Sequence, residues 1–261
     1  MNGKIQKTTF SHTRRGFLKT GAAGAIGFPM IVRSQTLGAN APSKRITMGI
    51  IGCGNQSIQD LKQFLPMEDV QIVAVCDVNK ASYGYRNDTQ FLGREPVRER
   101  VENAYAQRTA SGAFKGCSTY ADFRDLLARK DIDTAVIITP DHWHAIQTIH
   151  AAAAGKDIYC QKPMTLTVRD GQEMIKAVRK YNRVLQCGRQ WRSADFLTGF
   201  SNAVRSGVVG KPHRLKVSIV KNNFDGPGPG WKPMPVPDGF DYDMWLGPAP
   251  DAPYHKDRCF Y

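Results

Sequence analysis

The sequence predicts an α/β protein built on a mainly parallel, doubly wound sheet. From residue 45 onward, short apolar runs such as 46–51 and 70–75 alternate with segments of helical periodicity. Because each connection is long enough to hold a helix, we expect parallel strands joined by right-handed crossovers. Ligands of such sheets bind beyond the carboxyl ends of the strands, near the point where the strand order reverses.

The individual elements follow from local patterns. Strands are predicted over 46–51, 70–75, 134–139, 157–160 and 184–187, and helices over 56–64, 94–108, 121–129, 143–154 and 168–181. Pro140 stops one strand, and Gly155 suits the left-handed position that ends a helix. Together these elements predict one domain over residues 42–190.

A second domain is expected over residues 191–261. A helix over 194–205 and an alternating strand over 214–220 precede a long segment, 222–253, that is rich in glycine and proline. One strand is too few to cover a core. This part of the chain is therefore predicted to be the beginning of an incomplete α+β domain.

The first 41 residues have the pattern of an export signal. Arg14 and Arg15 precede Phe-Leu-Lys, a mildly apolar run follows over 20–32, and Ala39 and Ala41 suit cleavage after residue 41. We therefore expect a twin-arginine signal peptide, the twin-arginine export machinery as a partner, and a periplasmic or otherwise exported protein. The alternative is a frayed basic terminus.

Charge and cysteine content exclude some classes of function. The formal net charge is +13, but six basic residues lie in the first 41 and many others alternate with acids, as in 94–102. This distribution lacks the clustered basic face that nucleic-acid binding needs. Cys53, Cys76 and Cys160 lie in or beside apolar runs, and no CxxC pair exists. Neither disulfides nor a metal site is therefore indicated.

A glycine turn is the first chemical signal. Gly52 and Gly54 follow the first strand, and Asn55 and Gln56 open the next helix. The first glycine permits a tight turn, and the second lets the backbone approach a pyrophosphate at the helix N-terminus. Ser57 takes the place of a third glycine, so the helix must pack with a side chain there. The turn predicts a Rossmann-type dinucleotide site.

Asp77 supports the same site from the next strand. It ends that strand 23 residues after Gly54. A carboxylate in this position accepts hydrogen bonds from ribose hydroxyls and repels a 2′-phosphate. NAD is therefore the expected cofactor, with NADP as the alternative. Without a cofactor, Asp77 would merely cap a loop.

The third strand end holds Thr139 and Pro140, followed by Asp141, His142 and His144. Pro140 is expected to shape the wall near the nicotinamide, and Asp141 to cap the helix. The two histidines do not share a helix face, so a metal is not indicated. Each histidine is expected either to contact the ligand or to be a satisfied polar residue at the helix start.

The fourth strand end holds Gln161, Lys162 and Pro163. Proline biases the preceding residue toward an extended conformation. We therefore expect Lys162 to project toward the same edge as Gly52 and Thr139. An amine there can exchange a proton with a substrate hydroxyl during hydride transfer. A surface lysine in a turn is the alternative.

These motifs, together with Gln-x-Gly-x-Gln at 186–190, resemble the glucose–fructose oxidoreductase/inositol dehydrogenase family (Gfo/Idh/MocA) over roughly residues 45–250. The resemblance includes Trp-Leu-Gly-Pro at 245–248. It implies a Rossmann domain, a second α/β domain with an open sheet that commonly associates, and oxidation or reduction of sugars or cyclitols. Lys162 is the expected catalytic residue. The expected cofactor contacts are Gly52, Gly54, Asn55, Gln56, Asp77, Thr139, Pro140, His144, Gln161 and Lys162.

Two features depart from that family pattern. Gln161 stands where the family has glutamate before Lys-Pro, and an amide cannot pair ionically with Lys162. The family's Asp-x-x-x-His pair, which follows the Trp-Leu-Gly-Pro stretch, has no match here; His255 and Asp257 occur in the wrong order. A C-terminally truncated chain is therefore expected, and no second catalytic residue is assigned.

The sequence thus predicts an exported NAD(P)-dependent oxidoreductase that acts on a small-molecule carbohydrate, such as a sugar or polyol. A monomer and a homo-oligomer both stay open. Two alternatives stay open. One is a truncated, non-catalytic nucleotide-binding protein. The other is an enzyme in which transient oxidation of the sugar allows a distant bond to be eliminated or hydrolysed without net redox change.

Overall fold

A computed structural model describes residues 44–85, 89–219, 226–227 and 229–260. The expected export signal, residues 1–41, lies outside these ranges. Among the described residues, no helix is both long enough and apolar enough to cross a lipid bilayer.

A six-stranded parallel sheet forms the centre of the fold. The strands are β1 (Ile46–Ile51), β2 (Val70–Cys76), β3 (Ser118–Tyr120), β4 (Thr134–Ile137), β5 (Asp157–Gln161) and β6 (Leu185–Gly188). Their spatial order is β3-β2-β1-β4-β5-β6. The order reverses between β1 and β4, which confirms the predicted doubly wound, Rossmann-type sheet and places its ligand edge there.

Helices connect the strands and continue after the sheet. They are α1 (Asn55–Phe64), α2 (Arg94–Ala106), α3 (Phe123–Leu127), α4 (Asp141–Ala153), α5 (Val168–Lys180), α6 (Asp195–Arg205), α7 (Tyr242–Leu246) and α8 (Lys256–Cys259), with a 3₁₀ turn over Gln190–Ser193. All the predicted helices are present within a few residues of their expected ends.

Each face of the sheet packs on its own set of helices. Ile50 belongs to the cluster that buries the inner sides of α1 and α2. Its neighbour Ile51 belongs to the cluster that buries α3, α4 and α5. Since successive strand residues point to opposite faces, the nearly continuous apolar runs of β1 and β2 supply both cores.

Three local expectations are corrected. Residues 214–219 form no strand, and Leu215 and Ile219 are about nine-tenths exposed. Alternation alone does not make a strand, because a strand also needs a partner strand to bond with. β3 was missed because three residues are too few to show a pattern. Asp141 makes no capping hydrogen bond and instead begins α4, where its charge favours the helix N-terminus.

The segment after residue 229 folds back onto the Rossmann domain. Phe240, Tyr254 and Phe260 are buried in the same cluster as α1 and α2. Backbone hydrogen bonds fix this return, including Lys80 N to Gly239 O at 2.8 Å. The aromatic residues of this late segment therefore lie beside the end of β2.

We expect Tyr105→Phe to destabilise the fold by about 1–3 kcal/mol. The Tyr105 hydroxyl accepts a hydrogen bond from the buried amide of Ile72 at 2.8 Å. Ile72 lies in β2 before residues 74–76, the part of β2 that pairs with β3. Removing the hydroxyl leaves that amide without a partner. Urea unfolding measures the change, and Tyr83→Phe, at an exposed ring, is the matched control. Equal stability of the two variants would contradict this account.

Candidate functional site

A cavity of about 650 Å³ lies where β1, β2 and β4 end. Seven of the predicted cofactor positions line it, and they come from three separate strand ends. They are Gly52, Gly54, Asn55, Gln56, Asp77, Thr139 and Pro140.

Gly52 is required where β1 meets β4. Its φ is +101°, and a Cβ there would lie 2.6 Å from the carbonyl carbon and oxygen of Ile138. Only glycine fits both constraints. Its amide donates to Cys76 O at 2.8 Å, so the turn is also fixed to the end of β2.

The N-terminus of α1 faces the cavity without a side-chain cap. Gly54 occupies the N-cap position in an extended conformation and makes no side-chain hydrogen bond. Ser57 is fully buried, and its hydroxyl donates to Gly54 O at 2.6 Å, so the helix accommodates the side chain that replaces a third glycine. Uncapped amides at a helix N-terminus bind anions.

Asp77 is held by backbone amides at the end of β2. One carboxylate oxygen accepts from Cys53 N at 2.5 Å and the other from Asn79 N at 2.8 Å. Burial raises the pKa of Asp77 above its usual value, and these two amide hydrogen bonds oppose the rise. Each carboxylate oxygen keeps a further lone pair, so the group can still accept from a ligand hydroxyl.

His144 lies behind the cavity wall. It is 1% exposed, and its ring nitrogens lie 2.8 Å from Thr139 O and 2.6 Å from Pro163 O. It links the end of β4 to the turn after β5 and does not line the cavity. In the described structure His144 thus joins two loops behind the wall, and its predicted cofactor contact stays a prediction.

Gln161 and Lys162 also lie outside the cavity lining. Gln161 is 2% exposed and donates through Nε2 to Asp60 Oδ2 at 2.7 Å, whereas Lys162 is exposed. Lys162 follows β5, which runs parallel beside β4, so it does lie at the predicted edge of the sheet. The predicted roles of Lys162 and Gln161 both remain predictions; in the described structure Gln161 is buried against Asp60.

The late segment supplies a wall that the sequence did not predict. Met244, Trp245, Arg258 and Phe260 line the cavity. Trp245 O receives hydrogen bonds from His142 Nε2 at 2.9 Å and from Trp143 Nε1 at 3.1 Å. The only early signal was the Trp-Leu-Gly-Pro stretch, and nothing in the sequence pointed to Arg258.

Arg258 brings a cation to this wall. Its Nε is buried without a hydrogen-bond partner, and its guanidinium lies 5.4 Å from the centre of the Trp231 ring. The centre of the Phe260 ring lies 4.8 Å from that of Tyr85, and a Cβ added at Gly54 would lie 3.2 Å from the Tyr85 ring. A guanidinium whose Nε has no hydrogen-bond partner among the described residues thus lines the same cavity as the glycine turn.

The residues present fit a dinucleotide. The Gly52–Gly54 turn and the α1 amides suit a pyrophosphate, Asp77 suits ribose hydroxyls, and Arg258 offers a buried donor to an anion. Asn55 Oδ1 is a second buried atom without a partner. All of these groups line one cavity.

The buried thiols beside the site are structural. Burial raises the pKa of both Cys53 and Cys76 well above the usual range, so they stay protonated and poorly nucleophilic. All six cysteines are free.

Two family models match the chain. One, described as an oxidoreductase family with an NAD-binding Rossmann fold (GFO_IDH_MocA), matches residues 46–189. The other, described as the C-terminal alpha/beta domain of an oxidoreductase family, matches residues 197–261. The first match alone covers more than half of the chain.

Curated relatives carry two kinds of name. The chain is 28% identical over 217 residues to an alpha-N-acetylgalactosaminidase of Shewanella oneidensis, covering 76% of this chain and 44% of that protein. It is 29% identical over 178 residues to the uncharacterized oxidoreductase YrbE of Bacillus subtilis, covering 67% and 45%. The chain thus spans less than half the length of these relatives.

Solved structures are also similar. Myo-inositol 2-dehydrogenase of Lactobacillus plantarum matches with a TM-score of 0.49 and 24% identity, over 64% of this chain and 43% of that chain. The WlbA dehydrogenase of Bordetella pertussis, in complex with NADH and UDP-GlcNAcA, matches with a TM-score of 0.47 and 24% identity, over the same shares.

We expect Gly52→Ala to abolish dinucleotide binding and to lower stability. The added Cβ would meet the backbone of Ile138 and displace the turn. Gly155→Ala is the matched control, because Gly155 also has a positive φ, +77°, but has no atom within 4 Å of the added Cβ. That control should cost only about 1 kcal/mol of stability. Unchanged NAD binding in Gly52→Ala, measured by calorimetry, would contradict the assigned site.

Proposed function

The chain belongs to the Gfo/Idh/MocA oxidoreductase family, and we propose that the protein is an NAD-dependent oxidoreductase acting on a sugar, polyol or related carbohydrate. The observation that carries this proposal is the single cavity that joins the glycine turn, Asp77 and Pro140 at the switch point of the sheet. Since the chain spans less than half of its relatives' length, the activity of the whole protein is part of the proposal.

The residues divide the work by position. The uncapped start of α1 and Arg258 would hold the pyrophosphate, Asp77 would hold the adenosine ribose, and Pro140 would form the wall on the nicotinamide side. NAD, when bound, supplies the hydride acceptor. Lys162, at the end of β5, exchanges a proton with the substrate hydroxyl.

Export through the twin-arginine pathway belongs to the same proposal. It is supported by Arg14 and Arg15, the apolar run that follows them, and the small residues before position 42. N-terminal sequencing of the mature protein tests it, and an intact Met1 in the exported fraction would contradict cleavage after Ala41.

A redox-neutral hydrolase is the second candidate, because an alpha-N-acetylgalactosaminidase is among the relatives. Both candidates use the same dinucleotide cavity. The two candidates differ in whether NADH accumulates. Net oxidation of the substrate releases NADH, whereas a redox-neutral reaction releases a sugar and leaves the NADH concentration unchanged. Absorbance at 340 nm, measured beside product analysis, separates them. Tight NAD binding without turnover would instead favour a non-catalytic nucleotide-binding protein.

We expect the protein to bind NAD more tightly than NADP, and Asp77→Asn to reduce that preference roughly tenfold, because one charge-assisted hydrogen bond and the repulsion of a 2′-phosphate are both lost. Burial raises the pKa of Asp77 above that of free aspartate, which is about 3.9. As the pH falls, Asp77 should therefore become protonated, and the preference for NAD over NADP should weaken, at a higher pH than a free aspartate would give. Calorimetric titrations across pH measure both effects. A preference for NAD as strong in Asp77→Asn as in the natural protein would contradict the assignment.

We expect Lys162→Met to lower kcat at least about 100-fold in the intact protein, as loss of a general acid or base does, while the Kd for NAD stays within about threefold. Lys162 is outside the cavity lining, so cofactor affinity has little to lose. Lys62→Met, at an exposed position of α1, is the control. An unaffected kcat in Lys162→Met would remove this residue from the mechanism.

A further inference from the structure

A single buried carboxylate stands at the centre of a glutamine network. Asp60, on α1, is 4% exposed. Oδ1 accepts from Gln56 Nε2 at 3.2 Å and from Gln190 Nε2 at 3.3 Å, and Oδ2 accepts from Gln161 Nε2 at 2.7 Å. Among the described residues, no basic side chain forms an ion pair with it. Amides alone satisfy this carboxylate.

The three glutamines come from three different parts of the fold. Gln56 lies in the first turn of α1 and lines the cavity. Gln161 is the last residue of β5, and Gln190 begins the 3₁₀ turn after β6. One carboxylate therefore ties the ends of β5 and β6 to the helix that starts at the glycine turn.

Gln161 has the one orientation that satisfies both of its neighbours. Its Nε2 donates to Asp60, and its Oε1 accepts from the backbone amide of Lys162 at 3.2 Å. Gly188 leaves room for this arrangement, since a Cβ there would lie 3.0 Å from Gln161 Oε1. The amide of Gln161 thus transmits the position of Asp60 to Lys162.

A carboxylate at position 161 would conflict with Asp60. A glutamate has no donor for Asp60 Oδ2, and two carboxylates would face each other across 2.7 Å in a buried site. Burial, and to a lesser degree the charge of Asp60, raises the pKa of the nearby Tyr159 to about 12. The network has room for one negative charge.

We propose that Asp60 is a positioning residue for Lys162, and that positions 60 and 161 together require one carboxylate and one amide in either order. The geometry allows the exchange. Asparagine at position 60 keeps Oδ1 as the acceptor for Gln56 and Gln190, and its Nδ2 takes the place of Oδ2 and donates to a glutamate at position 161. That glutamate still accepts from the Lys162 amide. The positioning role rests on the proposed function of Lys162.

Each single substitution breaks the network in its own way. In Asp60→Asn, the new Nδ2 faces an amide donor in either orientation, Gln161 in one and Gln56 with Gln190 in the other, so at least one of these glutamines must flip or lose its hydrogen bond. In Gln161→Glu, two carboxylates oppose each other. We expect each to lower the thermal midpoint by about 5 °C or more at pH 7.5, and the double variant to return to within about 2 °C of the natural protein.

The pH response separates the two defects. The opposed carboxylates of Gln161→Glu share a proton more readily in the folded protein than in the unfolded chain. Its stability deficit should therefore shrink as the pH falls toward 5, whereas that of Asp60→Asn should not. The double variant Asp69→Asn with Gln63→Glu makes the same two chemical changes at exposed positions and serves as the control. Its thermal midpoint should lie within about 2 °C of that of the natural protein.

Catalysis tests the positioning role. In the intact protein, Asp60→Asn should lower kcat about tenfold or more with less than a threefold change in the KM for the sugar, and the double variant should restore kcat. Additive losses of stability in the double variant would overturn the exchange. Coupled stability with kcat unchanged in the single variants would overturn the positioning role. If the natural protein turns over no sugar, the proposed function fails, and the stability measurements still decide the exchange.

Discussion

The site depends on the close approach of β1 and β4 at Gly52. The carbonyl of Ile138 occupies the space that any side chain at position 52 would need. That approach brings the carboxyl ends of β1, β2 and β4 around one cavity and aims the uncapped start of α1 into it. The hydrogen bonds of Gly52 and Cys53 to the end of β2 then fix Asp77 at the same edge. A steric limit on one residue thus arranges the groups suited to a dinucleotide.

The sequence revealed those parts of the fold that depend on local patterns. Continuous apolar runs and helical spacing predicted the parallel sheet, and the glycine turn with Asp77 predicted the edge that holds the cavity. Contacts between distant residues were not predictable. Gln161 donates to the carboxylate of Asp60, which lies 101 positions earlier in the chain. Arg258 lines the cavity because the late segment folds back onto the Rossmann domain. The prediction of a strand at 214–220 was wrong, because alternation of apolar and polar residues indicates which side chains would share a face but not whether another strand is there to pair with.

Among the described residues, few charged side chains lie around the cavity. Asp77 at the end of β2 and Asp141 at the start of α4 line the cavity, and Arg258 lines it from the late segment. Asp60 lies behind the cavity and is neutralised by no cation among the described residues; three amides share it. Gln161, which departs from the family's glutamate, is consistent with this network, because its amide joins a carboxylate on one side and the Lys162 backbone on the other.

A crystal structure of the protein grown with NADH would show whether this cavity holds the dinucleotide. The pyrophosphate should lie against the amides at the start of α1, with the adenosine ribose hydroxyls within hydrogen-bond distance of Asp77 and the guanidinium of Arg258 facing the phosphates. Electron density for the dinucleotide at another surface, or an empty cavity at a saturating NADH concentration, would contradict the assignment of this cavity as the cofactor site.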